Sequence, residues 1–535
     1  MIHRSPFPDV EIPVESLTDF VLREARQRGD KPAFINSATD EAISYTGFVD
    51  AVSTVAASLQ ARGFSKGDVV AFYSPNCPEY AAAFLAICKL GGTVTTVNPL
   101  YTEGELRHQL ENSGARAVIT DPQFLDTARA AANGAGIREM FVFGDADDAT
   151  PFADLMCADD TDGVEFPTVA VDPMTDLAAL PYSSGTTGVA KGVMLTHHNL
   201  VANLCQIRGV APETTYRATE DDVLMGVLPF FHIYGMIMML YSLKLGCTMV
   251  TTSRFDLEKF LAMLERYKVS YLHVVPPIAL LLSKHPVVDN YSIPNVRQII
   301  CGAAPLGQDV ADDVYERLGA RINQAWGMTE LSPVGHMNAD PPETIDPTSV
   351  GPCVPNAEST IVDVETGEAL GPHKRGELCQ RGPHLMAGYL NNPEATAACI
   401  DEDGWLHTGD IAFADENGYV WVVDRVKELI KYKGFQVAPA ELESLLLTHD
   451  AVADVAVIGV PDEEAGELPK AFVVPKAGEA EASDELAQQL QSFIAEQVAP
   501  HKKIRIVEFI DAIPKSASGK ILRRALIEQE RAAQM

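Results

Sequence analysis

The sequence predicts an α/β protein with a large multi-sheet α/β N-terminal region, a β-rich module at its end, and then a small α+β unit. Three patterns carry this reading. Short β-branched runs alternate with helix-length, one-sided apolar segments between residues 69 and 302, as expected of βα units on a parallel sheet. After about residue 349 the helical signals thin, and Gly, Pro and short strand-like runs take over. A closing stretch of about 110 residues regains helices and has the size of an ordinary domain.

In chain order, VVAFY (69–73), an apolar-faced segment at 79–90, TVTTV (93–97), a segment capped by Thr102, and RAVIT (116–120) give the first βα units. An acidic, loop-like stretch at 144–165 interrupts them. The alternation returns with VLMGVLP (223–229), TMVTT (248–252), YLHVVPP (271–277) and VRQIICG (296–302), most simply on more than one sheet. Residues 223–243 carry no Lys, Arg, Asp or Glu and are long enough to span a bilayer. Gly226, Pro229, His232 and Gly235 interrupt them, which suits a buried strand, a functional loop and a core helix, so no membrane span is expected. GELCQRG (376–382) and GYVWVVDR (418–425) form the β-rich module, and the boundary falls near 424, dividing the chain into 1–424 and 425–535. Beyond it PAELESLLL opens a helix with Pro439 in its first turn. ADVAVIGV and AFVV are strands, and Leu486, Leu490, Phe493, Ile494 and Val498 line one helix face below an Asp484 cap.

At 535 residues the chain exceeds the size at which single cores stop growing, about 250–300 residues, so at least two domains are expected. A hydrophobic content of 47% with 21% charged residues is that of a globular protein. The net charge of −33 argues against nucleic acid and anionic membrane surfaces as partners, which demand clustered Lys and Arg. Nine cysteines lie far apart, without a C-x-x-C pair or a histidine at metal-ligand spacing, and read as reduced packing residues of a reducing compartment. The segment MIHRSPFPDVEIP has prolines and acids where a signal peptide needs an apolar run, so a cytoplasmic location is expected.

The strongest chemical signal is YSSGTTGVAKG (182–192), set between the apolar run LAAL and VMLTHHN. Small hydroxyl residues and glycines can wrap backbone N–H groups and hydroxyls around a polyphosphate, with Lys191 as a point charge. It is not a Walker A loop, because Lys191 follows Ala190 and precedes Gly192. His232 stands in an apolar context, where a lone histidine is usually a core residue. Met236, Met238 and Met239 read either as pocket lining or as core. Against the acidic background, Arg425, Lys427, Lys431, Lys433 and the distant Lys520 gather positive charge in the C-terminal part.

Seven segments in order resemble the motifs of the adenylate-forming superfamily of acyl-CoA synthetases, luciferases and adenylation domains. They are SSGTTGVAKG (183–192), PFFHIYG (229–235), GAAPL (302–306), QAWGMTE (324–330), WLHTGD (405–410), DRVKELIKYKGFQVAPAELE (424–443) and PKSASGK (514–520). Within it VVPPIALLLSKHPVVDNYSI (274–293), GAAPLG and IKYKGFQVAPAELE are most like coumarate and cinnamate ligases.

The resemblance implies a large AMP- and acyl-binding domain and a small mobile C-terminal domain. It assigns Ser183, Ser184, Gly185, Thr186, Thr187, Gly188 and Lys191 to the ATP phosphates. Ala303, Ala304, Pro305, Gln324, Trp326, Gly327, Met328 and Thr329 fall at the nucleotide, and Asp410 at the ribose hydroxyls. Thr187 and Glu330 are the implied Mg²⁺ ligands, since a hard cation takes oxygen donors. His232 lies beside the acyl carboxylate, and Tyr234, Met238, Cys301, Gly302, Gly327, Pro333 and Val334 line the acyl pocket. Arg425, Lys431 and Gln436 contact nucleotide or adenylate, Lys427 is the hinge, and Lys520 reaches the α-phosphate. Arg254, Lys433 and Gly434 face CoA.

The implied chemistry is acid + ATP + CoA to acyl-CoA + AMP + pyrophosphate through an acyl adenylate, with no protein nucleophile. Its partners are a small carboxylic acid, ATP and CoA; a monomer or a homodimer are both open. After Tyr234 the chain continues GMIMM, more apolar than in plant coumarate ligases, which favours cinnamate-type acids or, alternatively, medium- or long-chain fatty acids. An acyl-AMP donor to a carrier protein, a luciferase-type oxygenase and a nucleotide-binding protein without turnover are the other classes in view.

Overall fold

The structure, a computed structural model, describes residues 1–146, 149–156, 168–183, 190–210, 218–338, 346–426, 428–433, 435–462, 465–476, 482–516 and 519–534. Two large sheets form the first part of the chain. One has nine strands, with Thr93–Thr96, Val69–Tyr73, Ala115–Thr120 and Glu139–Val142 parallel at its centre. Lys191–Thr196 lies antiparallel near one edge, between Leu177–Ala179 and the short strand Gly388–Tyr389. The other sheet has eight strands. Arg321–Gly327, Gln298–Cys301, Tyr271–Val274, Val223–Gly226, Thr248–Thr251 and Pro32–Asn36 run parallel, with antiparallel strands at both edges.

Between these sheets lies the main core. Helix Ile233–Leu245 buries every residue except Tyr234, and a helix apolar on all sides belongs in such an interior. The charge-free stretch at 223–243 is thus a buried strand, a loop and this helix, and no described helix is long and apolar enough to cross a membrane. Helix Pro78–Lys89 joins the same core, with Tyr80 and Phe84 inaccessible to solvent. The predicted cap at Thr102 is present as a capping box with Glu105, whose carboxylate accepts the Thr102 N–H at 2.8 Å.

The β-rich module is a five-stranded antiparallel sheet: Ile2–Arg4, Glu358–Val362, Gly376–Arg381, Leu406–Ala414 and Val420–Arg425. Pairing in this sheet ends at Arg425 and resumes at Ile430 in another sheet, whose long hairpin is Val452–Asp462 with Gly466–Pro475. Helices Pro439–Leu447 and Asp484–Gln497 cover that hairpin, with Leu442, Leu446, Leu490 and Ile494 buried against Val455, Val457 and Val473. The second helix departs from expectation in two details. Its cap is Ser483, whose Oγ accepts the Leu486 N–H at 3.2 Å, and Val498 lies just past its end. The eight described cysteines are free thiols. Cross-strand register sets Cys379 opposite His407, with sulfur and Nδ1 at 3.5 Å, a pairing that sequence spacing does not reveal.

Candidate active site

Parallel pairing in the eight-stranded sheet ends together at Val274, Cys301 and Gln324, the edge at which open α/β sheets bind ligands. Two glycines shape that edge. A Cβ at Gly235 would stand 2.1 Å from Pro229 O, and one at Gly327 would stand 2.2 Å from Pro333 O, so neither turn accommodates a side chain. Gln324, the last residue of its strand in parallel pairing, uses its amide on the loop that follows the neighbouring strand and on Pro347. Its Oε1 accepts the Leu306 N–H at 3.0 Å, and its Nε2 donates to Leu306 O at 3.0 Å and to Pro347 O at 2.6 Å. It therefore holds the GAAPL segment in place.

Glu330 lies on the short turn Thr329–Leu331 and is 5% exposed. Its Oε1 accepts the Ser183 hydroxyl at 3.0 Å and the Tyr389 hydroxyl at 2.8 Å. Lys191 Nζ stands 4.4 Å from the centre of the Tyr389 ring. Ser183, Lys191 and Glu330, which the sequence assigned to one site, are thus joined through Tyr389, a residue it did not assign. Burial and the Glu330 charge raise the Tyr389 hydroxyl far above its ordinary range, so it remains a neutral donor. Ser184, Gly185, Thr186, Thr187 and Gly188 lie outside the described residues, as do Lys427 and Gly434.

Asp410 is also 5% exposed. The Trp326 indole N–H donates to its Oδ2 at 2.8 Å, and the Arg425 Nε lies 3.1 Å from its Oδ1, across a register that sets Asp410 opposite Arg425. Both carboxylate oxygens are thereby aimed, with lone pairs left for further donors. The loop before it is held by Glu377, which accepts the Gly409 N–H at 2.9 Å and pairs with His407 Nδ1 at 2.9 Å.

Lys520 comes from the other end of the chain. Ser516 N–H donates to Lys520 O at 2.8 Å and Lys520 N–H to Ser516 Oγ at 3.1 Å, which closes a tight turn. At Gly519 that turn lies against the large part, where a Cβ would stand 3.2 Å from Val275 Cγ2. Burial, then the charge of Arg425, lowers the Lys520 ammonium, while Asp410, Glu330 and Glu428 pull it back up. His232 shares this cleft: burial, then the Lys520 charge, pushes it down to about 3. It is neutral at physiological pH and caps helix Ile233–Leu245, with Nδ1 accepting the Tyr234 N–H at 3.2 Å. A neutral imidazole can orient a carboxylate but supplies no charge.

The candidate acyl-pocket residues divide. Tyr234 is half-buried, with its ring against Gly302, and Gly327, Pro333 and Val334 meet at one turn. Cys301 is inaccessible to solvent and packs with Val274 and Leu306, whereas Met238 lies in the core between the sheets. Ala303 takes a left-handed φ of 74° beside Ala304 and Pro305, and Met328 and Thr329 lead into the Glu330 turn. Lys431 is exposed opposite Gln436 in a hairpin, and Lys433 is exposed at a φ of 48°. Arg254 is exposed just beyond strand Thr248–Thr251.

Comparison with known proteins identifies the family. Residues 21–390 match the AMP-binding enzyme family and residues 441–520 the AMP-binding enzyme C-terminal domain. The chain is 44% identical to 4-coumarate–CoA ligase 5 of Oryza sativa subsp. japonica, over 98% of this chain and 96% of that protein. The structure of the anthranilate CoA ligase AuaEII with anthranoyl-AMP superposes with a TM-score of 0.88 at 25% identity, covering 98% of this chain and 99% of that one. ATP-bound MatB from Rhodopseudomonas palustris superposes at 0.84, at 29% identity over 97% of this chain and all of the other. Its apo form reaches 0.75 at the same identity, over 98% of this chain and all of the other. On its sequence, its fold and the ordered set of residues around Glu330, Asp410 and Lys520, the chain belongs to the AMP-binding enzyme family.

Proposed function

We propose that this chain is an ATP-dependent carboxylic acid:CoA ligase that forms an acyl adenylate and then an acyl-CoA thioester, acting on 4-coumarate- or cinnamate-type acids. The observation that carries it is the docking of Lys520, from the far end of the chain, into the cleft that holds Glu330, Asp410 and Arg425. In the first step the acid's carboxylate oxygen bonds to the α-phosphorus of ATP as the bond to the bridging oxygen breaks, and pyrophosphate leaves with that electron pair. In the second the CoA sulfur attacks the acyl carbon and AMP departs. Neither step passes through a protein nucleophile, so the residues act by position and charge.

Asp410 takes the ribose hydroxyls, held ready by Trp326 and Arg425. Neutral His232 orients the acid, and Lys520 meets the charge that grows on the α-phosphate. Glu330, with Thr187 as the motif's second oxygen donor, would hold Mg²⁺. Both hydrogen bonds to Glu330 fall on Oε1, which leaves Oε2 facing no donor among the described residues and open to a hard cation. The metal would neutralise phosphate charge there. Lys433, Gly434 and Arg254 take CoA, Lys431 and Gln436 the nucleotide, and Lys427 is the hinge between a domain of residues 1–424 and one of residues 425–535.

A panel of aryl and fatty acids, assayed for AMP release with Mg²⁺ and with or without CoA, tests the reading. Sustained AMP release needs the acid, Mg²⁺ and CoA together, and release of ADP and phosphate instead rules the mechanism out. Cinnamate is expected to be used at least as well as caffeate by kcat/KM. The Tyr234 hydroxyl is already engaged by His273 at 3.1 Å and offers little to a second ring hydroxyl.

A further inference from the structure

Beneath the proposed acyl pocket, strand Tyr271–Val274 carries a buried histidine, 7% exposed, that none of the motifs includes. His273 pairs in register with Ile300. Its neighbours Tyr271 and Ile300 belong to the core shared with helix Ile233–Leu245. The Tyr234 hydroxyl lies 3.1 Å from His273 Nδ1, and the two rings meet edge-on, 5.7 Å apart at 88°. The ring of Tyr271 stands 5.4 Å away. Burial pushes His273 down to about 3, so the ring is neutral at physiological pH. The other ring nitrogen, Nε2, is buried without a hydrogen-bond partner among the described residues.

This arrangement costs stability. A buried ring nitrogen with no partner is unfavourable, and an apolar side chain of similar volume would fill the space without that penalty. Packing alone therefore gives no reason for an imidazole here. What the imidazole adds is a hold on Tyr234, whose ring lies against Gly302, 3.1 Å from the place a Cβ there would occupy.

We propose that His273 is a positioning residue for acyl selectivity: by holding the Tyr234 hydroxyl it fixes the tyrosine ring against Gly302 as a flat wall, which favours planar aryl acids over flexible aliphatic ones. The inference rests on the aryl-acid ligase reading given above. The second contact of the Tyr234 hydroxyl, Ile300 O at 3.5 Å, is too long to hold the ring by itself. Release of His273 frees the wall to turn and the slot to admit a bent chain.

The test is the ratio of kcat/KM for cinnamate to that for octanoate, with a thermal unfolding curve for each variant. His273→Leu should lower the ratio roughly ten-fold, the factor that about 1.4 kcal/mol represents, and should leave the unfolding temperature unchanged or higher. Two amides separate the ring nitrogens, because asparagine sets its polar atom near Nδ1 and glutamine near Nε2. His273→Asn should restore most of the ratio, and His273→Gln should not. Tyr234→Phe should shift the ratio as far as His273→Leu does, and the double variant no further, since either change breaks the same bond. An unchanged ratio in His273→Leu overturns the inference. So does rescue by glutamine and not asparagine, which makes Nε2 the working atom. A wild-type protein that releases AMP with neither acid refutes the ligase reading instead, and the two failures are distinct.

Discussion

Replacing Lys520 by alanine should slow adenylation by roughly 100- to 1,000-fold and leave acyl transfer from preformed acyl adenylate near the wild-type rate. The size follows from what surrounds the ammonium. Lys520 is half-buried in a cleft where Arg425, the nearest cation acting on it, is committed to Asp410 at 3.1 Å and cannot take its place. A preorganised donor facing developing charge in such a place supplies about 3–4 kcal/mol, and the missing side chain leaves water to do the work. The turn itself survives, because it is closed by the backbone of residue 520 and by Ser516, and packed at Gly519 against Val275 and Pro277. Adenylation is read by acid-dependent exchange of labelled pyrophosphate into ATP, and transfer by thioester formation from synthetic acyl-AMP and CoA. No phosphorus is attacked in the second step, so its rate should not depend on Lys520. Equal loss in both assays from a folded Lys520→Ala protein would refute the assignment, and undiminished exchange would refute it more directly.

Four further outcomes are expected. Trp326→Phe keeps the packed ring but removes the N–H that Asp410 accepts at 2.8 Å; hydrogen bonds to charged groups contribute about 1.5–3 kcal/mol, so stability should fall by up to that amount and KM should rise for ATP but not for the acid. Tyr389→Phe takes one of two hydroxyls from Glu330 and should raise the Mg²⁺ concentration needed for half-maximal AMP release several-fold, read by metal titration at fixed ATP. The lowered Lys520 ammonium should give adenylation an alkaline limb below the ordinary lysine range, as the proton is lost, while thioester formation from acyl-AMP shows no such limb. Asp424, pushed up to about 6 chiefly by burial, favours the folded state when protonated. Its contribution is present below about pH 4 and lost as pH rises through about 6, so Asp424→Asn should flatten the fall in unfolding temperature over that window.

The sheets were legible because their strands are short, β-branched and regularly spaced, as at 69–73, 93–97 and 115–120, where hydrophobic period alone decides the element. Helix Ile233–Leu245 was legible from its breakers as much as from its apolar run, since Gly235 is demanded by the Pro229 carbonyl. Local patterns failed where a role arises between distant residues. Tyr389 meets a carboxylate 59 positions away, and Ser183 meets it across 147; nothing in LMAGYLNNPEA announces a partner for Glu330. His273 sits in an apolar strand whose period gives no hint that its Nδ1 will meet Tyr234. Cys379 and His407 come together only through cross-strand register. Gln324 reads as a nucleotide contact in a motif, while its three hydrogen bonds go to the backbone of Leu306 and Pro347, a support role that only side-chain geometry reveals.

A chain of net charge −33 repels ATP and CoA at long range, and screening removes only part of that repulsion. The cleft counters it locally with charges in unequal states of satisfaction. Arg425 is neutralised by Asp410, whereas Lys520 forms no direct ion pair among the described residues and is destabilised by burial and by Arg425. An arriving polyphosphate therefore gains most from Lys520, and the lysine turn gains equally from the polyphosphate, because a coupling between two charges acts on both partners. Adenylation changes that balance. Pyrophosphate carries most of the negative charge away, and the phosphate that remains is a singly charged mixed anhydride. On the proposed mechanism, the added attraction between Lys520 and the nucleotide weakens at the moment the first product leaves. On that mechanism, opening of the small domain to admit CoA needs no separate signal, since the chemistry removes the charge that draws the Lys520 turn to the nucleotide.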